Sequence, residues 1–396
     1  MDSDDSPTAP LWRGADGRLL VTISVGWLAI RLGREAIPPL LPVIIEEVNI
    51  SSATAGVGLT VMWFTYSMCQ YPGGRLSDGL SRKLVLVASL GTLVVGFAVL
   101  SAVTTYAGLI GGFLFVGVGG GLYFAPSRAL LADRFQGRRG EVFGIQSAAG
   151  SFGAAVAAGV TVVALAVGVW QTAFLPVLVV LAAVLVALVV WHHEAYNLGW
   201  TSLELRSTGR RIVALPRIRP LLVAYMLFSF SWQGFLGFLP TLLQAEKGFD
   251  QVLSSGAFAM VFVVAIVVGP LAGRLADRFS RVRVSVAGVT VAVVGFLLVI
   301  LGSSPVPVVA GVLVVAVGLR SYPPVMQAHL MGLFPDDSMG GDFGGIKTVW
   351  TGFGSFAPMY VGFVAAGTSY TTAFSGFVLC LLVVIGLLGY VSSTQE

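Results

Sequence analysis

Gly74-Arg-Leu-Ser-Asp78-Gly-Leu-Ser-Arg82 returns 199 residues later as Gly273-Arg-Leu-Ala-Asp277-Arg-Phe-Ser-Arg281. The same offset carries Val94-Val-Gly-Phe97 onto Val293-Val-Gly-Phe296, and offsets of 200 and 198 carry Gly140-x-x-Phe143-Gly144 onto Gly340-x-x-Phe343-Gly344 and Pro126 onto Pro324. Four separated blocks at a nearly constant spacing mark a tandem duplication. Each copy of the nine-residue stretch lies between two long apolar runs, so the duplicated unit is a set of apolar segments joined by short polar loops.

The solvent of those segments follows from composition. Of 396 residues 56% are hydrophobic and 11% charged, where a soluble domain carries roughly 25% charge. That much apolar surface requires lipid. The 50 glycines fit helices whose backbones must approach closely where water exclusion drives no packing. A bilayer core of about 30 Å takes roughly 20 helical residues, and twelve runs of that size are expected near 19–45, 53–76, 83–103, 107–131, 142–164, 169–191, 219–243, 252–275, 282–302, 306–333, 344–366 and 370–391. The fold class is therefore all-α and polytopic, with twelve membrane-spanning helices in two parallel repeats of six. Six is even, so both copies enter the bilayer in the same sense, related by an axis along the membrane normal.

Charge sets the orientation. Eighteen basic residues fall at the ends of spans on one side or in the loop after span six, Lys247 alone falls on the other, and Arg31, Arg34, Arg320 and Lys347 remain within spans. By the positive-inside rule both termini and the middle loop are cytoplasmic. The expected parts are a tail over 1–18, a first bundle over 19–191, a linker over 192–218, a second bundle over 219–391 and a short tail over 392–396. The setting is the cell membrane. The N-terminal tail lacks a signal-peptide pattern, and Cys69 and Cys380 sit in apolar runs as free thiols packed like small hydrophobes.

Two six-helix halves, a basic middle loop and a doubled Gly-x-Leu-x-Asp-x-x-x-Arg after spans two and eight resemble the major facilitator superfamily over nearly the whole chain. The resemblance implies secondary active transport of a small solute by alternating access, through a cavity lined by spans 1, 4, 7 and 10. It makes Gly74, Asp78 and Arg82 gating residues, with Asp133 as the partner of Arg82 and Asp78 facing the start of span 11. Gly273, Asp277 and Arg281 form the second copy, in which Gly332 stands where Asp133 stands in the first. Phe113 occupies the position where the family carries a span-four arginine, and span five has glycines but no Gly-Pro. Span eleven carries Gly354-x-x-x-Pro358-x-x-x-Gly362, expected to pack and kink.

The residues themselves point to a binding site. A charge near mid-bilayer costs at least about 2.5 kcal/mol, so such charges are functional candidates. Span one places Arg31, Arg34 and Glu35 there, followed by Pro38 and Pro39, which cannot donate to the carbonyls of Arg34 and Glu35. Span ten places Arg320 beside Tyr322 and a double proline. Tyr123, Trp232 and Gln233 suit a cavity wall or ordinary helix packing. Lys347, one turn inside span eleven, is expected to snorkel to the interface. Arg31, Arg34 and Arg320 against Glu35 leave a formal charge of about +2, which favours a small organic or inorganic anion as substrate. The competing reading is an exporter of amphipathic compounds.

Other classes fit poorly. His192, His193 and His329 have no ligand-spaced partners, no Gly-x-x-x-x-Gly-Lys-Ser/Thr loop is present, and no basic face runs along a helix. An enzyme, an ATP-driven pump and a nucleic-acid binder are not expected, nor is a cofactor or a metal site. The expected partners are the substrate, a coupling ion (proton or sodium) and the lipid bilayer, with the chain acting as a monomer.

Overall fold

The computed structural model describes residues 11–12, 14–192, 218–334 and 339–393, apart from the side chains of Asp78 and of residues 339–342. The chain ends and almost all of the linker lie outside the described residues. The first half comprises α1 (Gly14–Glu47), α2 (Ser52–Gly79), α3 (Arg82–Ala102), α4 (Tyr106–Arg134), α5 (Arg139–Val167) and α6 (Leu175–Trp191), the last preceded by a 3-10 turn at Trp170–Phe174. The second comprises α7 (Ile218–Ala245), α8 (Gln251–Arg278), α9 (Arg281–Leu301), α10 (Pro305–Met331), α11 (Met339–Gly354), α12 (Ala357–Gly367) and α13 (Tyr370–Ser393), with α11 and α12 together forming the eleventh span.

Local chemistry sets the helix limits. Ser51, Ser81, Thr105 and Asp250 each accept the backbone N–H three residues on, at the starts of α2, α3, α4 and α8, which satisfies an orphan donor of the first turn. Ser51 and Asp250 are 199 residues apart, and so are Asn49 and Gly248, whose φ values of 54° and 69° turn the chain from α1 into α2 and from α7 into α8. The duplication is thus preserved in backbone conformation, with Gly248 occupying the left-handed region that L side chains rarely adopt. The eleventh span breaks at Ser355–Phe356 because Pro358 has no N–H for the carbonyl of Gly354. At α1 the prolines have a milder effect: the helix runs through Pro38, Pro39 and Pro42 without interruption.

Among the described residues ten spans are apolar and long enough to cross a membrane. The first two, α1 and α2, are equally long but less apolar, because α1 carries the mid-depth charges and α2 many hydroxyls. Residues such as Val179, Val186, Leu379 and Leu382 are exposed on α6 and α13. Lipid is the medium that accepts such a surface.

Packing repeats with the sequence. In the first half α2 and α3 pack on α4, and α5 and α6 on α1; in the second, α8 and α9 pack on α10, and α11 and α13 on α7. Between the halves α2 lies on α11 and α12, α5 on α8, and α1 on α7. Advancing every member by six spans returns the same three pairings, as a twofold axis along the membrane normal requires. The ends that carry the termini form the basic face of the molecule.

At the opposite face the halves lock together. A Cβ on Gly362 would collide with the carbonyl oxygen of Ser52, so α12 and α2 can meet only with hydrogen there. The Ser52 and Tyr370 hydroxyls are 2.6 Å apart, Thr60 Oγ1 accepts the Met359 N–H at 3.1 Å, and Gln251 Nε2 donates to the Pro39 carbonyl at 3.1 Å. Lys247 donates to the carbonyls of Ile300 and Gly302 at the end of α9. Both Glu246 carboxylate oxygens accept N–H groups at the start of α13, from Tyr370 and Thr371, where a negative charge complements the helix end.

Candidate functional site

The middle of α1 supplies the first half of the site. Arg31 and Glu35 sit one turn apart, and Arg31 Nη1 lies 2.7 Å from Glu35 Oε1. Arg34 Nη2 lies 3.6 Å from the same oxygen. Arg34 turns toward α2, where its Cζ is 4.5 Å from the Trp63 ring centroid and 4.8 Å from that of Tyr66. Side-chain exposure is 17% for Arg31, 5% for Arg34 and 1% for Glu35. Arg31 is therefore the member of this trio that a solute can reach.

The second half of the site comes from α7, α8 and α10. Arg320 Cζ lies 4.4 Å from the Trp232 ring and 5.2 Å from the Phe262 ring, and Arg31 Cζ lies 5.7 Å from that same Phe262 ring. Guanidiniums from opposite halves thus share one aromatic side chain. Among the described residues no carboxylate lies within ion-pair distance of Arg320, and its Nε is buried without a hydrogen-bond partner. Each cation–π contact contributes about 0.5–2 kcal/mol, against a desolvation cost of several kcal/mol for a buried ion. The rings lower the cost of Arg320 without cancelling it. The cluster holds a net charge near +2 with donor edges left over.

The other wall candidates are placed differently. Tyr123 and Tyr322 are 199 residues apart and both fully buried within their own halves. Tyr123 donates to the Ile23 carbonyl at 2.8 Å and stacks on Trp27, while Tyr322 stacks on Phe228 with centroids 4.3 Å apart. Each ties the fourth helix of its half to the first. Gln233 Nε2 donates to Ser229 Oγ and to the Thr351 carbonyl, both at 3.1 Å, which joins α7 to α11. All three are buried within their own bundles, and the Tyr322 hydroxyl and Gln233 Oε1 are buried there without a hydrogen-bond partner.

Phe262, Trp63 and Tyr66 were not among the residues expected from sequence. Trp63 and Phe262 are themselves 199 residues apart, so the repeat offset applied to mid-span aromatics was a signal for those two; Tyr66 corresponds to Ala265 and carries no such signal. Lys347 departs from its expected snorkelling: its Nζ lies 4.4 Å from the ring of Phe124 on α4, inside the seam between the halves. Arg128, counted with the basic loop, sits within α4 over Phe124 and Phe143, at 4.6 and 5.3 Å. Its position six residues before the end of α4 leaves it short of the interface.

At the basic face Arg82 pairs with Asp133 through Nη1 and donates to the Ala129 carbonyl. In the second copy Arg281 donates to the Ala328 carbonyl at 3.1 Å, the equivalent bond, and stands 4.0 Å from where a Cβ on Gly332 would be. The carbonyl contact is duplicated and, among the described residues, the ion pair is not. Asp277 is exposed, and the Asp78 side chain lies outside the described residues. A Cβ on Gly74 would meet the Ala125 Cβ at 3.5 Å, ordinary contact, and one on Gly273 would meet nothing within 4 Å. Its neighbour Gly73 faces α4 more closely, 3.1 Å from the Leu122 Cα.

The comparisons with known proteins agree with this architecture. The chain is 24% identical over 387 residues to the probable nitrate transporter NarT of Staphylococcus haemolyticus, with 94% of each chain covered. It is 26% identical over 304 residues to the protein of that name from Staphylococcus aureus strain JH9, covering 72% of this chain and 71% of the other. Among solved structures, an inward-facing, occupied bacterial homolog of the human lysosomal transporter Spinster superimposes with a TM-score of 0.81 at 14% identity, covering 98% of both chains. A point mutant of the nucleoside transporter NupG superimposes at 0.80 and 15% identity, covering 94% of this chain and 99% of the other. The Major Facilitator Superfamily model matches residues 23–358 and 221–395. With its duplicated six-span halves and its charged cluster at their junction, this chain belongs to the Major Facilitator Superfamily and is a multi-pass membrane transporter.

Proposed function

We propose that the chain carries a small planar anion of the nitrate class across the cell membrane, with Arg31 and Arg320 as its ligands. The observation that carries this reading is the meeting of two guanidiniums from opposite halves at Phe262, with no carboxylate within ion-pair distance of Arg320 among the described residues. Arginine holds a planar oxyanion through two parallel hydrogen bonds, and the names of the NarT relatives point to the same chemistry. Because the ligands belong to different halves, a bound anion draws them together, and its release lets them rock apart. Glu35 orients Arg31, or exchanges the proton that couples transport; sodium is the other candidate ion.

In this reading the two bundles, 19–191 and 219–391, move as bodies about the linker over 192–218. The basic face is cytoplasmic, as the excess of arginine there favours. The Arg82–Asp133 pair latches one end of the cycle, together with Asp78. The monomer is the working unit, and the task is translocation without chemical change of the solute.

The test is nitrate flux into liposomes containing the purified protein. Flux that saturates with nitrate, and that drops at least roughly tenfold in Arg31→Gln and in Arg320→Gln, is the expected outcome. Full flux in both variants would remove these arginines from the site. Flux of amphipathic cations with none of nitrate would replace the anion by a drug-like substrate.

A further inference from the structure

Nearer the basic face a second pair of cations meets over a second ring. Arg128 of the first half lies 4.6 Å from the centroid of Phe124, and Lys347 of the second half lies 4.4 Å from it. The arrangement repeats that of Arg31 and Arg320 about Phe262: one aromatic ring, two cations, one from each half. We propose that Arg128 and Lys347 form a second anion station, through which the substrate passes between the Arg31–Arg320 site and the basic face. This inference rests on the anion reading above and adds a separate site to it.

Depth comes from the repeat itself. Arg320 corresponds to Gly121 at the offset of 199. Arg128 lies seven residues beyond Gly121 on α4, so the two tiers are roughly 10 Å apart along the membrane normal at the rise of an α-helix. Tyr66 stands between them. Its ring lies under Arg34, and its phenol is within electrostatic reach of both Arg31 and Arg128.

The charge of the second tier is uncompensated among the described residues. Among the described residues no carboxylate lies within ion-pair distance of Arg128 or Lys347. The polar contacts of Arg128 are a bond from Nη2 to Ser147 Oγ at 3.1 Å and a buried Nε without a partner. Lys347 sits one turn before Thr351, whose hydroxyl is 2.8 Å from that of Ser67 on α2, so the ammonium lies in the inter-half seam. Two like charges on one ring repel, and an anion between them relieves both the repulsion and the desolvation. A lysine is a compact point charge without the bidentate fork of arginine. The second station therefore holds the anion less tightly, which suits a site that must release it.

The experiment measures nitrate flux in oriented proteoliposomes, with nitrate presented at either face, for the parent, Lys347→Gln, Arg128→Gln, Lys347→Arg and Arg320→Gln. Thermal unfolding of each purified protein is followed without nitrate. Lys347→Gln is expected to raise the half-saturating nitrate concentration at the basic face at least about fivefold and to leave that at the opposite face within about twofold. Lys347→Arg restores the parent value, and Lys347→Gln unfolds at a higher temperature than the parent, because a half-buried charge repelled by Arg128 has been removed. Kinetics unchanged in both Lys347→Gln and Arg128→Gln, with the flux of Arg320→Gln still down at least about tenfold, overturn the station and leave the primary site standing. A lower unfolding temperature with flux lost in Lys347→Arg as well overturns it in favour of a packing role. Absence of nitrate flux in the parent overturns the anion reading and the station together.

Discussion

At Glu35 one carboxylate stands between two guanidiniums, and its side chain is almost wholly buried. Removing one partner of a buried ion cluster costs on the order of 3 kcal/mol, because the remaining charge stays where water cannot reach it. Glu35→Gln should therefore lower the unfolding temperature by several degrees, and added nitrate should recover more stability in the variant than in the parent. Equal stabilisation by nitrate in both proteins would show that the anion does not bind beside Arg31. Arg320→Lys keeps the charge over Trp232 and loses the fork. Transport efficiency should fall about tenfold or more with expression maintained, and flux at the parent level would mean that charge alone suffices there.

Among the helices the two repeat-related arginine corners differ in their ion pairing. Arg82 and Arg281 each reach the carbonyl of a repeat-related alanine, but among the described residues only Arg82 finds an aspartate. Gly332 has φ −70° and ψ −4°, a conformation open to aspartate, and its Cβ direction passes within reach of Arg281. Gly332→Asp should create the missing pair. An exposed ion pair shifts a two-state balance by up to about fivefold, so the state with the second latch closed should gain population, as read by spin-label distances across the basic face. An unchanged distance distribution would show that the end of α10 does not move relative to Arg281 during the cycle.

For the whole molecule, the seam at the opposite face depends on backbone contact between α2 and α12. Gly362→Ala drives a methyl group into the carbonyl oxygen of Ser52, which is fixed in a helix, so the halves must separate there. A single cysteine at Ala53, in a background lacking Cys69 and Cys380, should react faster with a membrane-impermeant reagent once Gly362 is Ala. Transport should slow at the same time, because closing that face becomes the difficult step. Unchanged reactivity would locate the seam's closing contacts elsewhere.

Hydropathy, charge placement and the offset of 199 sufficed for the twelve spans, their grouping into halves and the arginines at mid-depth. These properties are local along the chain or repeat along it, and each helix expresses them alone. The family resemblance carried by the loop motif implied the Arg82–Asp133 pair as well. Tertiary structure decided which ring each cation faces. Lys347 turned inward to Phe124, Arg128 stopped short of the interface, Tyr123 and Tyr322 filled their own bundles, and Phe262 joined Arg31 to Arg320. Within lipid, helices are held together by close packing and polar contacts rather than by water exclusion. The meeting of side chains from helices hundreds of residues apart then depends on small-residue contacts such as Gly362 against Ser52, which no pattern within a single span records.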